Sequence, residues 1–392
     1  MGDVLDKKGY IRGPFGSALK RGEMKTEGIP VYEQQHAIYD NRLFRYYIDD
    51  NKFEELKRFQ VIPNDLIVSC SGTIGKTSLI RENDEKGIIS QALLILRSNS
   101  KIIEPKFLKY FLETNKGYNS LISSAGGSSQ VNIAKKQIIL DIPLVVPTLP
   151  TQHKIINFLD KISYKIELLE HKYEKYQDFK KYLMQQIFAQ KLRFDFEDEW
   201  ETYLLKDIGK TFNGLSGLSK DNFEKGNSKY ITYKSIFDNN ILKSNFTENV
   251  ELNNKTQNEV KKGDLFFTGS SETPEEVGMV SVLDQTVKNC YLNSFCFGFR
   301  LNNERTINPL FLAYYLRSPK MRKKIMVLAQ GSTRFNLPKK EILKLKIELP
   351  SINEQEQIIN LFQNVDPKLN EISMQTDKLK EFKKGLLQQM FV

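Results

Sequence analysis

The chain has 392 residues, 40% of them hydrophobic and 11% aromatic, which excludes a disordered polymer and leaves room for two domains or more. No apolar run approaches the roughly 18 residues of a membrane span and no signal-peptide core opens the sequence, so a cytoplasmic protein is expected. The formal net charge of +10 favours a polyanionic partner, because Lys and Arg contacts to phosphates release counterions. Three cysteines and three histidines stand at no metal-ligand spacing, so neither a metal nor a cofactor is expected.

Taken from the N-terminus, the first 150 residues read as a turn-rich globular part. Short β-prone runs such as DLIVSC and IISQALLIL are punctuated by Gly, Asn and Asp. A short helix, PKFLKYFLETN, comes next, then a Gly/Ser turn and a hydrophobic strand ending at Pro147. From Thr151 to about Gln190 the apolar positions Ile155, Leu159, Ile162, Ile166, Leu169, Tyr173, Tyr176, Leu183 and Ile187 step by 4 and 3, broken once at Lys180. That is a heptad seam on one long helix. At 1.5 Å per residue about 40 residues would span ~60 Å.

The plan then repeats. FKKYLMQQIF, ending the first long helix at Phe188, returns as FKKGLLQQMF with seven of ten positions identical, 203 residues later. NIAKKQI (Asn132 to Ile138) returns as NLPKKEI, GGSSQVN as QGSTRFN, EPKFLKYFL as NPLFLAYYL, NDLIVSCSG as GDLFFTGSS and AIYDN as SIFDN. The offset drifts between 198 and 204, as two diverged copies with loop insertions require. A period of half the chain means tandem domains; solenoid repeats run at roughly 20 to 50 residues. The second strand ends at Pro350, and the second seam runs Ile358, Phe362, Val365, Leu369, Ile372, Leu379, Leu386 and Met390, with Lys383 repeating the break.

A narrow seam of that length needs a partner helix; packing of each helix onto its own globular domain is the alternative, weighed against globular helices averaging about three turns. Two copies related by a pseudo-twofold axis pair antiparallel, with the globular parts at opposite ends of a rigid spacer. The expected fold class is α+β: two globular domains separated by two long helices that pair as an antiparallel coiled coil. The expected boundaries are 1–150, 151–192, 193–350 and 351–392. Asp366-Pro367 conflicts locally: proline there should kink or restart the helix, with Asp366 as its cap.

Two segments resemble catalytic motifs and fail. Gly75-Lys76-Thr77 ends like a phosphate-binding loop, but the glycine needed five residues earlier is Cys70, so a turn between strands is expected. NPLF, from Asn308, resembles the NPPF/NPPY loop of amino-methyltransferases, but the second proline is missing and no methyl-donor loop stands near it. It reads as a helix start with Pro309 in the first turn. No catalytic constellation repeats between the copies.

The order of parts, given twice, together with LPTQHKIINFLD, LPSINEQEQIINLF, FKKYLMQQIF and FKKGLLQQMF, resembles the DNA-specificity subunits of type I restriction-modification systems. The resemblance covers nearly the whole chain. It implies two target-recognition domains, each reading one half of a bipartite, asymmetric site on double-stranded DNA. The helices would set the spacing and dock two methyltransferase subunits, which restriction subunits would join. The chain itself would be non-catalytic. A coiled-coil scaffold or regulatory protein with no DNA role is the alternative; it accounts for the helices but not for two β-rich basic domains.

Candidate DNA contacts are polar and basic loop residues, because Gln pairs with adenine and Arg or Lys with guanine. In the first copy these are Ser17, Lys20, Arg21, Gln34, Gln35, His36 and Arg42. In the second they are Lys220, Thr232, Tyr233, Lys234 and Ser235. The Gly/Ser turns add Ser128, Ser129, Gln130, Ser332, Thr333 and Arg334. The segment from Phe194 to Leu205, with Trp200, has no equivalent in the first copy, where Met1 falls near the position of Leu205. Either a strand is missing there, or the C-terminal end completes the first domain in space.

Overall fold

The computed structural model describes residues 1–15, 18–123, 125–126, 132–133, 136–252 and 256–391. The chain divides into two compact units: Met1–His171 with Ser373–Val392, and Lys172–Ile372. Each unit holds a globular part and one half of each long helix, Leu149–Phe188 and Ile352–Met390.

In the first unit an antiparallel sheet runs in the order Leu5–Arg12, Leu93–Ser98, Leu66–Ser69, Thr77–Leu79. Its central registers pair Leu66 with Leu96 and Val68 with Leu94. A smaller sheet joins Tyr47–Ile48, Ile29–Tyr32 and Ile88–Ile89. The second unit repeats the four-stranded order as Gly209–Asn213, Cys296–Leu301, Leu265–Thr268, Val280–Leu283 and adds a fifth strand, Ile241–Leu242. Here Leu265 pairs with Phe299 and Phe267 with Phe297, whose rings stack at 5.0 Å.

The repeat extends to buried polar chemistry. Asp65, fully buried, takes Arg97 bidentately at 2.7 and 2.8 Å; Asp264 takes Arg300 at 2.7 Å on both oxygens. Each carboxylate also accepts the backbone N–H three residues before it, from Ile62 or Lys261. Buried Gln152 accepts from the Glu104 N–H and donates to the carbonyls of Ile102 and Pro147. Buried Gln355 does the same with Asn308, Thr306 and Pro350. Each glutamine therefore ties a long helix to the start of the short helix Pro105–Glu113 or Pro309–Leu316. The NPLF segment is that second start: Asn308 caps it by accepting from the Leu310 N–H, and Pro309 occupies the first turn.

Gly75 and Lys76 lie between the strands Leu66–Ser69 and Thr77–Leu79, so the GKT segment is a strand-to-strand turn without the helix a phosphate loop needs. Gly75 has φ +75°, and a Cβ there would lie 2.9 Å from the Tyr118 ring. The three thiols are buried; burial pushes Cys70 and Cys290 up to about 11 and Cys296 to about 12, which makes them inert packing groups.

Within each unit the long helices run antiparallel. In the first unit, Ile156 and Leu159 share a core with Leu387 and Phe391, and Glu170 pairs with Lys380 at 2.7 Å. In the second, Leu183, Ile187 and Phe188 share a core with Ile358, Phe362, Val365 and Leu369, and Lys180 pairs with Asp366 at 2.5 Å. Ile162, Ile166, Leu169 and Ile372 are buried; Ile155, Leu379 and Leu386 are half-buried. The seam breaks have a cause. Lys180 lies over the Tyr314 ring at 5.7 Å and Lys383 over the Tyr110 ring at 5.3 Å. The lysine stems cover the aromatic rings of the short helices while their ammonium groups lie over the ring faces.

Two expectations change. The helix Ile352–Met390 runs through Pro367 without restarting, and Asp366 is no cap. Its carboxylate instead accepts from the Tyr314 hydroxyl at 2.6 Å and holds Lys180, which ties the proline turn to its neighbours. The strand expected to end at Pro147 is unassigned, whereas Lys346–Leu349 pairs antiparallel with Glu201–Leu204. A strand needs a ladder partner, and among the described residues the first unit provides none there. The C-terminus does complete the first unit in part: Phe391 packs on Phe107 at 4.8 Å, as Phe188 packs on Phe311 at 5.8 Å. Trp200, which packs on Phe311 and Tyr315, has no counterpart, and a cavity of about 250 Å³ lies beside Phe107 and Phe111.

Candidate nucleic-acid interface

Each unit presents a six-residue helix whose first side chain reaches the same backbone point. In the first unit Glu33 caps the helix Gln34–Tyr39, and Gln34 donates through Nε2 to the carbonyls of Ser71 and Thr73. In the second unit Thr232 caps Tyr233–Asp238 by accepting from the Ser235 N–H, and the Tyr233 hydroxyl donates to the Ser270 carbonyl at 2.8 Å. Ser71 and Ser270 occupy matching places in the repeated NDLIVSCSG and GDLFFTGSS segments. The frame is shared and the presented group differs, an amide in one unit and a phenol in the other.

Around Tyr233 the second unit opens a cavity of about 570 Å³. Tyr233 stacks on Phe237 with centroids 6.2 Å apart and planes 15° apart. Across it stand Phe295, 56% exposed, and Arg334, whose guanidinium lies 5.3 Å from the Phe295 ring centroid. Ser270, Ser271, Glu272, Glu276 and Thr333 complete the lining. Burial pushes the Tyr233 hydroxyl upward, so it stays a neutral donor at neutral pH. A larger cavity, about 910 Å³, is lined by Lys180, Tyr314, Arg317 and Asp366. Its Arg317 is committed to the carbonyls of Ile236, Phe237, Asn239 and Val280, so that arginine holds the fold.

The remaining candidates fall into four groups. Lys20, Arg21, Lys220, Lys234, Ser332, Thr333 and Arg334 are exposed, with Arg21 resting on the Tyr46 hydroxyl at 3.2 Å. Gln35 donates to the Leu43 carbonyl at 3.1 Å, while Thr232 and Ser235 bond each other at 2.8 Å in the helix cap. His36 and Arg42 are corrections. His36 is fully buried, accepts from the Glu33 N–H at 2.7 Å and stacks on Phe44 at 4.7 Å. Arg42 is held by Asp84 at 2.7 Å and by the carbonyls of Asn41 and Leu79. Both act in the fold because burial demands that their polar atoms be satisfied inside. Ser17, Ser128, Ser129 and Gln130 lie outside the described residues.

Sequence reasoning missed Phe237, Phe295, Glu272 and Glu276. Only the placement of Ser270-Ser271 opposite Ser71-Gly72 in the repeat could have pointed to that edge. The long helices also carry exposed apolar side chains: Phe158, Leu168, Met374 and Phe382 in the first unit, Phe179 and Tyr182 in the second. Among the described residues no helix is long and apolar enough to cross a membrane.

Comparison with known proteins meets the same two-part plan. The model of the type I restriction modification DNA specificity domain matches residues 18–177 and again residues 197–381. The MjaVIII type I restriction enzyme specificity subunit of Methanocaldococcus jannaschii is 22% identical over 400 residues, covering 95% of this chain and 90% of its own. The MjaX specificity subunit of that organism is 23% identical over 359 residues, covering 87% and 80%. Among solved structures, the S subunit of a type I restriction-modification system from M. genitalium superposes with a TM-score of 0.57 at 16% identity, covering 100% of this chain and 94% of its own. A chain from a structure describing complex assembly and conformational transition of a type I system reaches 0.60 at 16% identity, covering 98% and 95%. At such identities the structural likeness speaks for the fold; the twofold family match speaks for descent, and it disfavours the scaffold alternative. The chain belongs to the type I restriction modification DNA specificity family.

Proposed function

We propose that this protein is the non-catalytic, sequence-specific DNA-binding subunit of a cytoplasmic type I restriction-modification complex. Residues 1–150 and 193–350 are its recognition domains, and each reads one half of a bipartite, asymmetric site on double-stranded DNA. Residues 151–192 and 351–392 form the spacer that fixes the distance between half-sites. Two methyltransferase subunits dock on the helices, where Phe158, Phe179 and Phe382 offer apolar contacts, and restriction subunits join the assembly. Adenine methylation and cleavage belong to those partners.

The observation that carries this reading is one frame used twice with different presented chemistry. The Asp65–Arg97 and Asp264–Arg300 pairs and the Gln152 and Gln355 ties match, while the matching Ser71 and Ser270 carbonyls are taken by an amide, Gln34, in one unit and by a phenol, Tyr233, in the other. Two like frames with unlike surfaces suit two half-sites of different sequence. Exposed Lys20, Arg21, Lys220 and Lys234 supply phosphate contacts, which position without specifying.

The test is DNA binding by the assembled methyltransferase complex across a salt series. The logarithm of affinity should fall linearly with the logarithm of salt, by about 0.9 per phosphate contact. Lys220→Ala should reduce that slope by about 1 and weaken all sequences alike. Affinity indifferent to salt would contradict the proposal.

A further inference from the structure

In the Tyr233 cavity two carboxylates stand where a DNA-reading surface should repel them. Glu272 and Glu276 line it beside Arg334, both exposed, and neither side chain has an ion pair or hydrogen bond among the described residues. Arg334 is equally free of a carboxylate there, its guanidinium resting on the Phe295 ring. A free cation and two free anions therefore share one open, aromatic-walled cavity without neutralising one another. The chain as a whole is at +10, so acidic groups at this edge run against its bulk charge. The first unit has none at the matching place: Thr73 stands where Glu272 stands.

A carboxylate near DNA is repelled by every phosphate, whatever the sequence. It is compensated only where it accepts a hydrogen bond from an exocyclic amino group, cytosine N4 or adenine N6, in the major groove. Arg334, by contrast, matches the O6 and N7 acceptors of guanine. Phe295 and Tyr233 give the cavity apolar walls against which a base edge or a thymine methyl group can pack.

We propose that Glu272 and Glu276 are specificity-determining residues: they accept from a cytosine or adenine amino group in the half-site read by the second unit, next to a guanine taken by Arg334. This rests on the DNA-reading function proposed above. It predicts an unusual pair of effects for the neutral variants Glu272→Gln and Glu276→Gln. A glutamine amide both donates and accepts, so discrimination at one base pair falls, by about 5-fold or more, the lower end for a good base contact. Binding to unrelated DNA rises at the same time, because a repelling charge is gone.

The experiment measures binding and adenine methylation by the full complex with each variant, on cognate DNA, on single-base variants of it and on unrelated DNA. The expected result is relaxation at one position of one half-site, the other half-site unchanged, and tighter binding to unrelated DNA. Full discrimination retained in both glutamate variants would overturn the inference while leaving the specificity role standing. If the wild-type complex shows no split motif, the function itself fails, and the two failures are distinguishable.

Discussion

At the residue scale the buried polar groups explain the chain better than its charged surface does. Gln152 and Gln355, near the starts of the two long helices, are both fully buried and satisfy three backbone groups each. Gln355→Ala leaves a buried N–H and two carbonyls without partners and should cost about 3 kcal/mol in a denaturant titration. Gln152→Ala should cost the same, and a loss below about 1 kcal/mol would show that water replaces the amide. His36 behaves alike. Burial holds its imidazole below the ordinary value near 6.5. Above about pH 6.5 both folded and unfolded states are neutral there, so stability is insensitive to it. As pH falls through 6.5 the unfolded chain takes up the proton first and stability drops. His36→Gln should flatten the decline between about pH 6.5 and 5 relative to wild type; an unchanged slope would contradict this. The sequence placed His36 and Arg42 in a reading loop because their chemistry suits bases. It could not show that Glu33, Phe44 and Asp84 would use up that chemistry inside the fold.

At the element scale the long helices were the most legible feature. A 3.5-residue period over many turns is set by local spacing alone, and even its break recurs at Lys180 and Lys383. The meaning of the break was not legible, because Tyr314 and Tyr110 come from distant short helices. The same limit explains Pro367. Local rules demand a kink, since proline lacks the N–H that the carbonyl four residues earlier would accept. The helix nonetheless continues, with Asp366 fixed by Tyr314 and Lys180. Interior proline is disfavoured by about 3 kcal/mol relative to alanine. Pro367→Ala should therefore raise the unfolding midpoint, by the equivalent of about 1–3 kcal/mol, without changing helical content. A lower midpoint would mean that the ring's packing matters more than the missing bond. The strand expected before Pro147 failed for the opposite reason: its composition is right, but a strand exists only with a partner.

At the scale of the whole molecule the internal repeat decided the reading. Matched segments at offsets of 198 to 204 announced two copies, and both the family matches and the duplicated Asp–Arg and Gln frameworks follow that division. The Tyr233 cavity was only partly legible. Loop chemistry points to Tyr233, Thr333 and Arg334, and Phe237 stands one helical turn after Tyr233, but Phe295, Glu272 and Glu276 come from connections between strands that only the fold brings to the cavity. Duplication preserves a frame while leaving the reading surface free to diverge, so the frame is what one sequence can reveal. The measurement that tests the central claim most directly is the adenine methylome of cells carrying the cognate methyltransferase, with and without this gene. One split motif, two short halves with a fixed gap, should be present with the gene and absent without it. A methylome identical in both strains, with the methyltransferase expressed, would contradict the claim.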